Sequence, residues 1–596
     1  MSPTASASPA GWSVSRPVLP TACPRDPDLM VFAGDADGRC EIFSWHAGTG
    51  RARQVTDRAE GTARCAIDSD AVIWWFAEER DGTGSWQVQN FHGGPDSPAL
   101  TGIPAGRPGG LAFGSNGRAA VGLRDEQGLT VHLGQRSGPA ERTLRIPGHA
   151  TLAGLSPRED LVAVARSAGS SRSVIVLTPD AVPTELDGEQ GQIWALGFAP
   201  GLRTPELLLI VVHEERYVLA TWTPQRGLHR HTWCSFDTEI TACWYPHDRR
   251  VLVRQDRHGR SRLYVADPER RQLTPVPVPA GTVLDATPAA DGTVRCLWTD
   301  TRTPPRVIST GDTTPRMPQA PAPPPLTART AELWTPGPDG PVHTLLTLPE
   351  RGTAPHPTVF LVHGGPAEHD RDAYSSVVHS LAASGLAVAR VNYRGSTGYG
   401  PHWRSAFTEG VGHTQVADLV AVREELVRSG LARPDAIGLW GTSWGGYLVL
   451  LALGSRPALW QAGVAVKPVA DCAAAYEQGT PALRALDTAL FGGTPQEVPE
   501  RYARSSPLSC ATRVRAPLLV VAATRDLKCP PGQVRNYLAA LRGAGVPFEE
   551  LWLDSQHDGL DGAQHVEVLR RSLHFLAREL HGSRAGRTRH PAPERR

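Results

Sequence analysis

Short apolar runs separated by glycine-containing turns recur through the first half of the chain. They pair at 29–32 with 41–45, 71–76 with 86–91, 111–113 with 129–133, and 161–164 with 174–177. Three more pairs follow, at 207–212 with 218–222, 251–253 with 263–265, and 294–298 with 307–309. Seven units result, at a spacing of roughly 40–45 residues that suits the blades of a β-propeller. A β-sandwich pair or an irregular all-β domain is the competing reading.

Beyond residue 330 the pattern changes. Apolar runs at 358–362, 387–391, 437–440, 462–466, 518–522 and 549–553 read as strands. They alternate with helical patterns near 372–384, 415–430, 446–455, 532–543 and 563–580. Continuous apolar strands between amphipathic helices predict a mainly parallel sheet covered on both faces. Between 303 and 326 prolines are too dense for a helix or a central strand, so this stretch links two domains. The expected division is an N-terminal extension (1–26), a propeller (27–310), a Pro-rich linker (311–330), an α/β-hydrolase domain (331–582) and a disordered tail (583–596).

Length agrees with two domains, because one core stops growing near ~250–300 residues and the chain has 596. Hydrophobic content of 40% and charged content of 20% are ordinary for a globular protein, and a net charge of +1 points to neither nucleic acid nor a membrane surface. Nine scattered cysteines without a CxxC pair predict reduced thiols in a cytoplasmic protein, with no disulfide framework and no metal site. No secretory signal and no run of ~18 apolar residues is recognised. Arginine greatly outnumbers lysine, which reads as a high-GC coding bias rather than a functional signal.

The run at 437–440 leads directly into Gly441-Thr442-Ser443-Trp444-Gly445-Gly446-Tyr447, and a helical pattern follows. A serine on a tight strand-to-helix turn, flanked by glycines, is the context of a nucleophile elbow. Its hydroxyl needs a base, and the base needs an orienting acid. Asp526 follows the run at 518–522 and His557 follows the run at 549–553, so both fall at the sheet end where the elbow points. Asp554 and Asp558 are rivals for the acid but lie too close to His557 in sequence. His565 is the rival base but falls within the last helical pattern. Two backbone donors are expected at the oxyanion, from Trp444 and from Gly365 in the loop His363-Gly364-Gly365-Pro366.

These stretches, with NYRGSTGYG at 392–400 and DLKCP at 526–530, resemble the prolyl oligopeptidase family of serine peptidases. The acylaminoacyl-peptidase-like and dipeptidyl-peptidase-like branches are the nearest. The resemblance covers roughly 330–582, with separations of 83 residues from Ser443 to Asp526 and 31 more to His557. It implies a propeller, of seven blades here, stacked over the active site and restricting substrates to short peptides or peptide-like molecules. It also implies oxyanion donors at Gly365 and Trp444 and substrate contacts near Lys528, Tyr447 and Arg394. Lys528 stands where relatives commonly have arginine, and the 555–559 loop lacks their glycine beside the histidine.

Some relatives anchor a substrate amino terminus with propeller glutamates, which draws notice to Glu78-Glu79 and Glu214-Glu215. Solvated loop charge is the plainer reading of both pairs. A peptidase acting through an acyl-enzyme on Ser443 is the leading expectation. An esterase or acyl-transfer enzyme is the second, and an inactive propeller scaffold the third. No cofactor, metal, nucleic-acid or membrane partner is expected, and homo-oligomerisation is left open.

Overall fold

The computed structural model describes residues 18–582, except 115–116, 167–173, 179, 189–191, 202–203, 312–326, 408–409 and 559–561. The disordered tail and most of the Pro-rich linker expected above lie outside the described residues.

The first half is a seven-bladed β-propeller. Six blades are four-stranded sheets of consecutive strands, and the seventh has three strands among the described residues. Every pairing within a blade is antiparallel, as in the first hairpin between Leu29–Ala36 and Arg39–His46. Blades stack face to face, so their inner strands are buried on both sides. Leu207–His213 is buried along almost its whole length, which is why such strands read as continuous apolar runs rather than alternating ones. Leu129 and Val131 of the third blade pack with Leu152 and Val162 of the fourth.

Two details differ from the sequence reading. The first blade begins with Thr21–Ala22, which pairs with Leu29–Ala36, so it includes residues assigned to the extension. In the third blade the runs at 111–113 and 129–133 are not neighbours. Arg118–Arg124 lies between them and pairs with both. Its Ala119, Ala120 and Gly122 carry too little apolar bulk to stand out in sequence.

The second half is an α/β-hydrolase fold. Its strands are β1 Arg329–Thr335, β2 Val342–Leu348, β3 His356–Val362, β4 Ala387–Asn392, β5 Ala432–Thr442, β6 Ala462–Val466, β7 Leu518–Ala523 and β8 Phe548–Leu553. They form one sheet in the order β1-β2-β4-β3-β5-β6-β7-β8. β2 is antiparallel to both neighbours, and β3 to β8 run parallel. The helices are α1 Ser376–Ala383, α2 Pro401–Ser405, α3 His413–Arg428, α4 Trp444–Ser455, α5 Cys472–Gln478, α6 Pro481–Phe491, α7 Pro499–Ser505, α8 Pro531–Gly543 and α9 Gly562–His581. Leu419, Leu448 and Leu538 bury one face of the sheet, and Val378, Leu569 and Leu576 bury the other. No helix among the described residues is long and apolar enough to cross a membrane.

Two groups of polar contacts join the domains. On one side Asp372 Oδ1 accepts from Thr301 N at 3.0 Å and Thr301 Oγ1 at 2.8 Å, while its Oδ2 accepts from Arg260 Nε at 3.0 Å. Glu239 accepts from Gly398 N at 2.6 Å nearby. On the other side the carbonyl of Arg80, in a loop of the second blade, accepts from Arg525 at 3.0 Å and from Gln556 at 2.7 Å. Asp372 is the most heavily used of these groups. Asp372→Ala is expected to remove about 2 kcal/mol or more from domain docking. Calorimetry should show a lower unfolding midpoint, and an unchanged melting profile would contradict this role.

Candidate active site

β5 ends at Thr442, and the chain turns sharply into α4 at Ser443, which has φ 58° and ψ −119°. This strained conformation is held from both sides. Ser443 N donates to Val466 O at 2.8 Å, and Tyr447 N donates back to Ser443 O at 2.9 Å. A Cβ on Gly441 would strike the Gly445 backbone, and one on Gly445 would strike the carbonyl of Val362 in β3. Glycine is therefore required at both positions for the turn to close against the sheet.

Ser443 Oγ lies 3.0 Å from His557 Nε2, and His557 Nδ1 lies 2.7 Å from Asp526 Oδ2. An ionised carboxylate can only accept, so Nδ1 carries the proton and Nε2 is free to take one from the hydroxyl. Asp526 Oδ1 accepts from Lys528 N at 2.9 Å and Cys529 N at 2.8 Å, which fixes the carboxylate at the end of β7. The rivals have other partners. Asp554 pairs with Arg525 at 2.9 Å and Asp558 with Lys528 at 2.7 Å. His565 lines the cavity from α9.

Trp444 is the first residue of α4, so its amide has no acceptor within the helix. Across the cavity Gly365 has φ 132°, and a Cβ there would come within 2.7 Å of Ala367 N. His363 braces this loop. Burial pushes its pKa down to about 4, so the ring is neutral. One ring nitrogen lies 2.8 Å from Gly364 O and the other 2.8 Å from Ser396 Oγ. Tyr393 stacks on the ring at 4.1 Å and donates to His363 O at 2.7 Å.

A cavity of about 970 Å³ opens around Ser443. Lys528 and Tyr447 line it. Tyr447 is buried, and its hydroxyl donates to Ser505 O at 3.0 Å, so it serves as wall. Arg394 is a correction to the expected substrate contacts. It is fully buried and spends its guanidinium on Asp418, Asp339 and Thr414 O. It ties the 393–400 loop to α3 instead of meeting a ligand. Glu214 and Glu215 form an exposed tight turn with φ 48° and 57°. Glu79 pairs with Arg58 at 2.9 Å. Glu78 is half-buried, and burial together with Asp558 raises its pKa against the opposing effect of Arg64.

Cys529 was not singled out from sequence. Its thiol is buried beside Ser443, and burial holds it well above its usual pKa. Asp526, Cys529 and His557 present donor atoms within 4.8 Å of one another. The imidazole and two backbone N–H groups already occupy the carboxylate, which leaves a poor ligand for a cation.

The other unforeseen residue is Lys467. The chain has two lysines among its 61 basic residues, and both line this cavity. Lys467 follows β6 with φ 47°, is buried, and donates from Nζ to Gln556 O at 2.6 Å and His557 O at 2.7 Å. Burial lowers its pKa, while Asp526 and Asp558 oppose that shift. The ammonium thus clamps the loop that carries His557.

Residues 372–583 match the family model described as the prolyl oligopeptidase family. An acylamino-acid-releasing enzyme of Arabidopsis thaliana is 28% identical over 223 residues, 35% of this chain and 28% of the relative. A dipeptidyl aminopeptidase BIII of Pseudoxanthomonas mexicana is 27% identical over 214 residues, 34% of this chain and 31% of the relative. The chain thus spans less than a third of the length of the curated relatives it matches. The solved structure of a Mycobacterium tuberculosis puromycin-hydrolysing peptidase superposes with a TM-score of 0.78 at 20% identity over 94% of each chain. A Pyrococcus horikoshii acylaminoacyl peptidase gives 0.72 at 16% identity over 95% of each. These likenesses establish the two-domain fold. The sequence likeness to the prolyl oligopeptidase family lies in the α/β domain.

Lys467→Met should lower kcat by about 10–100-fold with little change in KM, because a displaced His557 loses its alignment with Ser443 but not contacts that hold substrate. Lys467→Arg should restore part of the loss. Steady-state kinetics on any turned-over substrate read both, and a normal kcat in the methionine variant would refute the clamp.

Proposed function

We propose that the protein is a serine peptidase that hydrolyses short peptides through an acyl-enzyme on Ser443. The observation that carries this reading is the unbroken line from Ser443 Oγ through His557 to Asp526, at 3.0 and 2.7 Å. In this reading Ser443 Oγ attacks the carbonyl carbon as His557 Nε2 takes its proton. Asp526 stabilises the resulting imidazolium. The amides of Gly365 and Trp444 receive the developing oxyanion. Collapse of the tetrahedral intermediate passes the proton from His557 to the leaving amine. Water then repeats the sequence and frees the acid.

The relatives named as acylamino-acid-releasing and dipeptidyl aminopeptidase enzymes support an amide bond near a chain end as the bond broken. The propeller supports a size limit, since its second-blade loop bonds directly to the loops carrying Asp526 and His557. Nine free cysteines support a reducing compartment, the cytoplasm.

A fluorophosphonate probe is expected to label Ser443, and Ser443→Ala to abolish labelling. Asp526→Asn and His557→Ala should each lower turnover by about 10⁴-fold. Labelling that persists in the alanine variant, or near-normal rates in either of the others, would overturn the assignment.

A further inference from the structure

The cavity beside Ser443 extends between α4, α5 and α6. Trp444 and Tyr447 form one wall, with rings 4.8 Å apart, and Cys472 and Ala475 of α5 form another. α6 closes it. Leu483, Asp487 and Phe491 are four residues apart along that helix, so they share one face. All three line the cavity. A carboxylate therefore sits in the middle of an otherwise apolar stripe.

No hydrogen bond or ion pair engages Asp487 among the described residues, and burial alone pushes its pKa up to about 7. The titratable groups facing it are Tyr447 of α4, Cys472 of α5, Tyr502 of α7 and Cys529. None of these can carry positive charge, and the two lysines of the cavity are engaged elsewhere, Lys467 on the carbonyls of Gln556 and His557 and Lys528 on Asp558. Neighbouring arginines are turned elsewhere. Arg484 donates to Tyr476 O and Glu477 O, and Arg501 donates to Phe491 O. A carboxylate kept for structure alone would be paired, because an unpaired charge that is even half-buried is costly. Cys529 links the two ends of the pocket: it contacts Ser443 and also feels the charge of Asp487.

We infer that Asp487 is a specificity-determining residue and that this pocket takes a substrate side chain with an apolar stem and a cationic end, of the arginine or lysine kind. The aromatic and aliphatic walls fit the methylene stem. The carboxylate gains the partner that the protein does not provide, and a guanidinium can engage it through two N–H groups. The inference rests on the peptidase reading of Ser443 and names the residue preferred at the acylating position. It also carries a pH signature. A cation needs the ionised carboxylate, so preference for a basic side chain should rise as pH passes upward through about 7, while a neutral side chain should lack that rise.

Two measurements test this. In the first, peptidyl-coumarylamides ending in arginine or its neutral isostere citrulline are compared. At pH 8 arginine should be favoured in kcat/KM by about 10–100-fold, the usual worth of a charge-assisted hydrogen bond. Asp487→Asn should remove most of that ratio, which is read within one variant and so does not depend on its overall rate. The substitution is isosteric at a carboxyl without partners, so the fold is retained. In the second, calorimetry measures benzamidine binding to wild type and to Asp487→Asn, which reads the pocket without any chemistry. Tighter binding to wild type supports the inference. Equal binding, or an arginine-to-citrulline ratio unchanged in the variant, overturns it. Absence of fluorophosphonate labelling at Ser443 would instead overturn the peptidase reading, so the two failures are distinguishable.

Discussion

The turn between β5 and α4 is the constraint on which the site depends. The strand must reverse into a helix within the space left by β3 and β6. The backbone of Gly445 lies against the carbonyl of Val362, and Gly441 lies against Gly445. Any side chain at either position would push α4 off the sheet. The squeeze holds Ser443 at φ 58°, a conformation an L-residue adopts at a cost and keeps when its surroundings over-determine it. The same squeeze lifts the hydroxyl out of the sheet and leaves the Trp444 amide without an acceptor. The positions of the proposed nucleophile and of one proposed oxyanion donor come from a single packing requirement.

Asp526 and His557, the proposed acid and base, are held differently, because they sit on loops rather than in a packed turn. Two backbone amides fix Asp526, so its own loop orients it. His557 depends on more distant groups. Lys467 grips its carbonyl and that of Gln556 from β6, and the Gln556 side chain reaches Arg80 O in the propeller. Arg525, beside Asp526, reaches that same carbonyl. One acceptor in the second blade therefore touches both loops. Any separation of the domains on this side would release them together. The placement of both loops is thereby tied to the docking of the propeller.

Much of the architecture was legible because its signals are local. The motif around Ser443 names its own turn, and continuous apolar runs mark strands buried on both faces. What escaped were elements whose identity comes from tertiary packing. β1 is a largely exposed edge strand, and the buried threonines of β2 blur its apolar pattern. Arg118–Arg124 is built from small residues. Helices α5 and α7, of seven residues each, are too short for a period to register, and the 3–4 spacing of Leu483, Leu486, Leu490 and Phe491 in α6 was passed over. These are the helices that shape the pocket beside Ser443, which is why sequence pointed to the chemistry and not to what the pocket holds. Arg394 was misjudged for a related reason. A motif arginine near a nucleophile suggests a ligand contact, whereas its two carboxylate partners become neighbours through folding alone.

The lysines show where compositional bias meets geometry. A chain that writes nearly every cation as arginine keeps lysine at 467 and 528. At 467 the reason is stereochemical. Two carbonyls on successive residues converge on one point, and a tetrahedral ammonium can donate to both from a single atom. A planar guanidinium spreads its donors over a fork and needs more room than a buried site leaves. It would withdraw from one carbonyl and hold the histidine loop by the other alone. At 528 the side chain is more than half exposed and pairs with Asp558, so no comparable restriction acts there. Lysine at 467 is therefore explained by the shape of its site, whatever sets the proportion of arginine elsewhere.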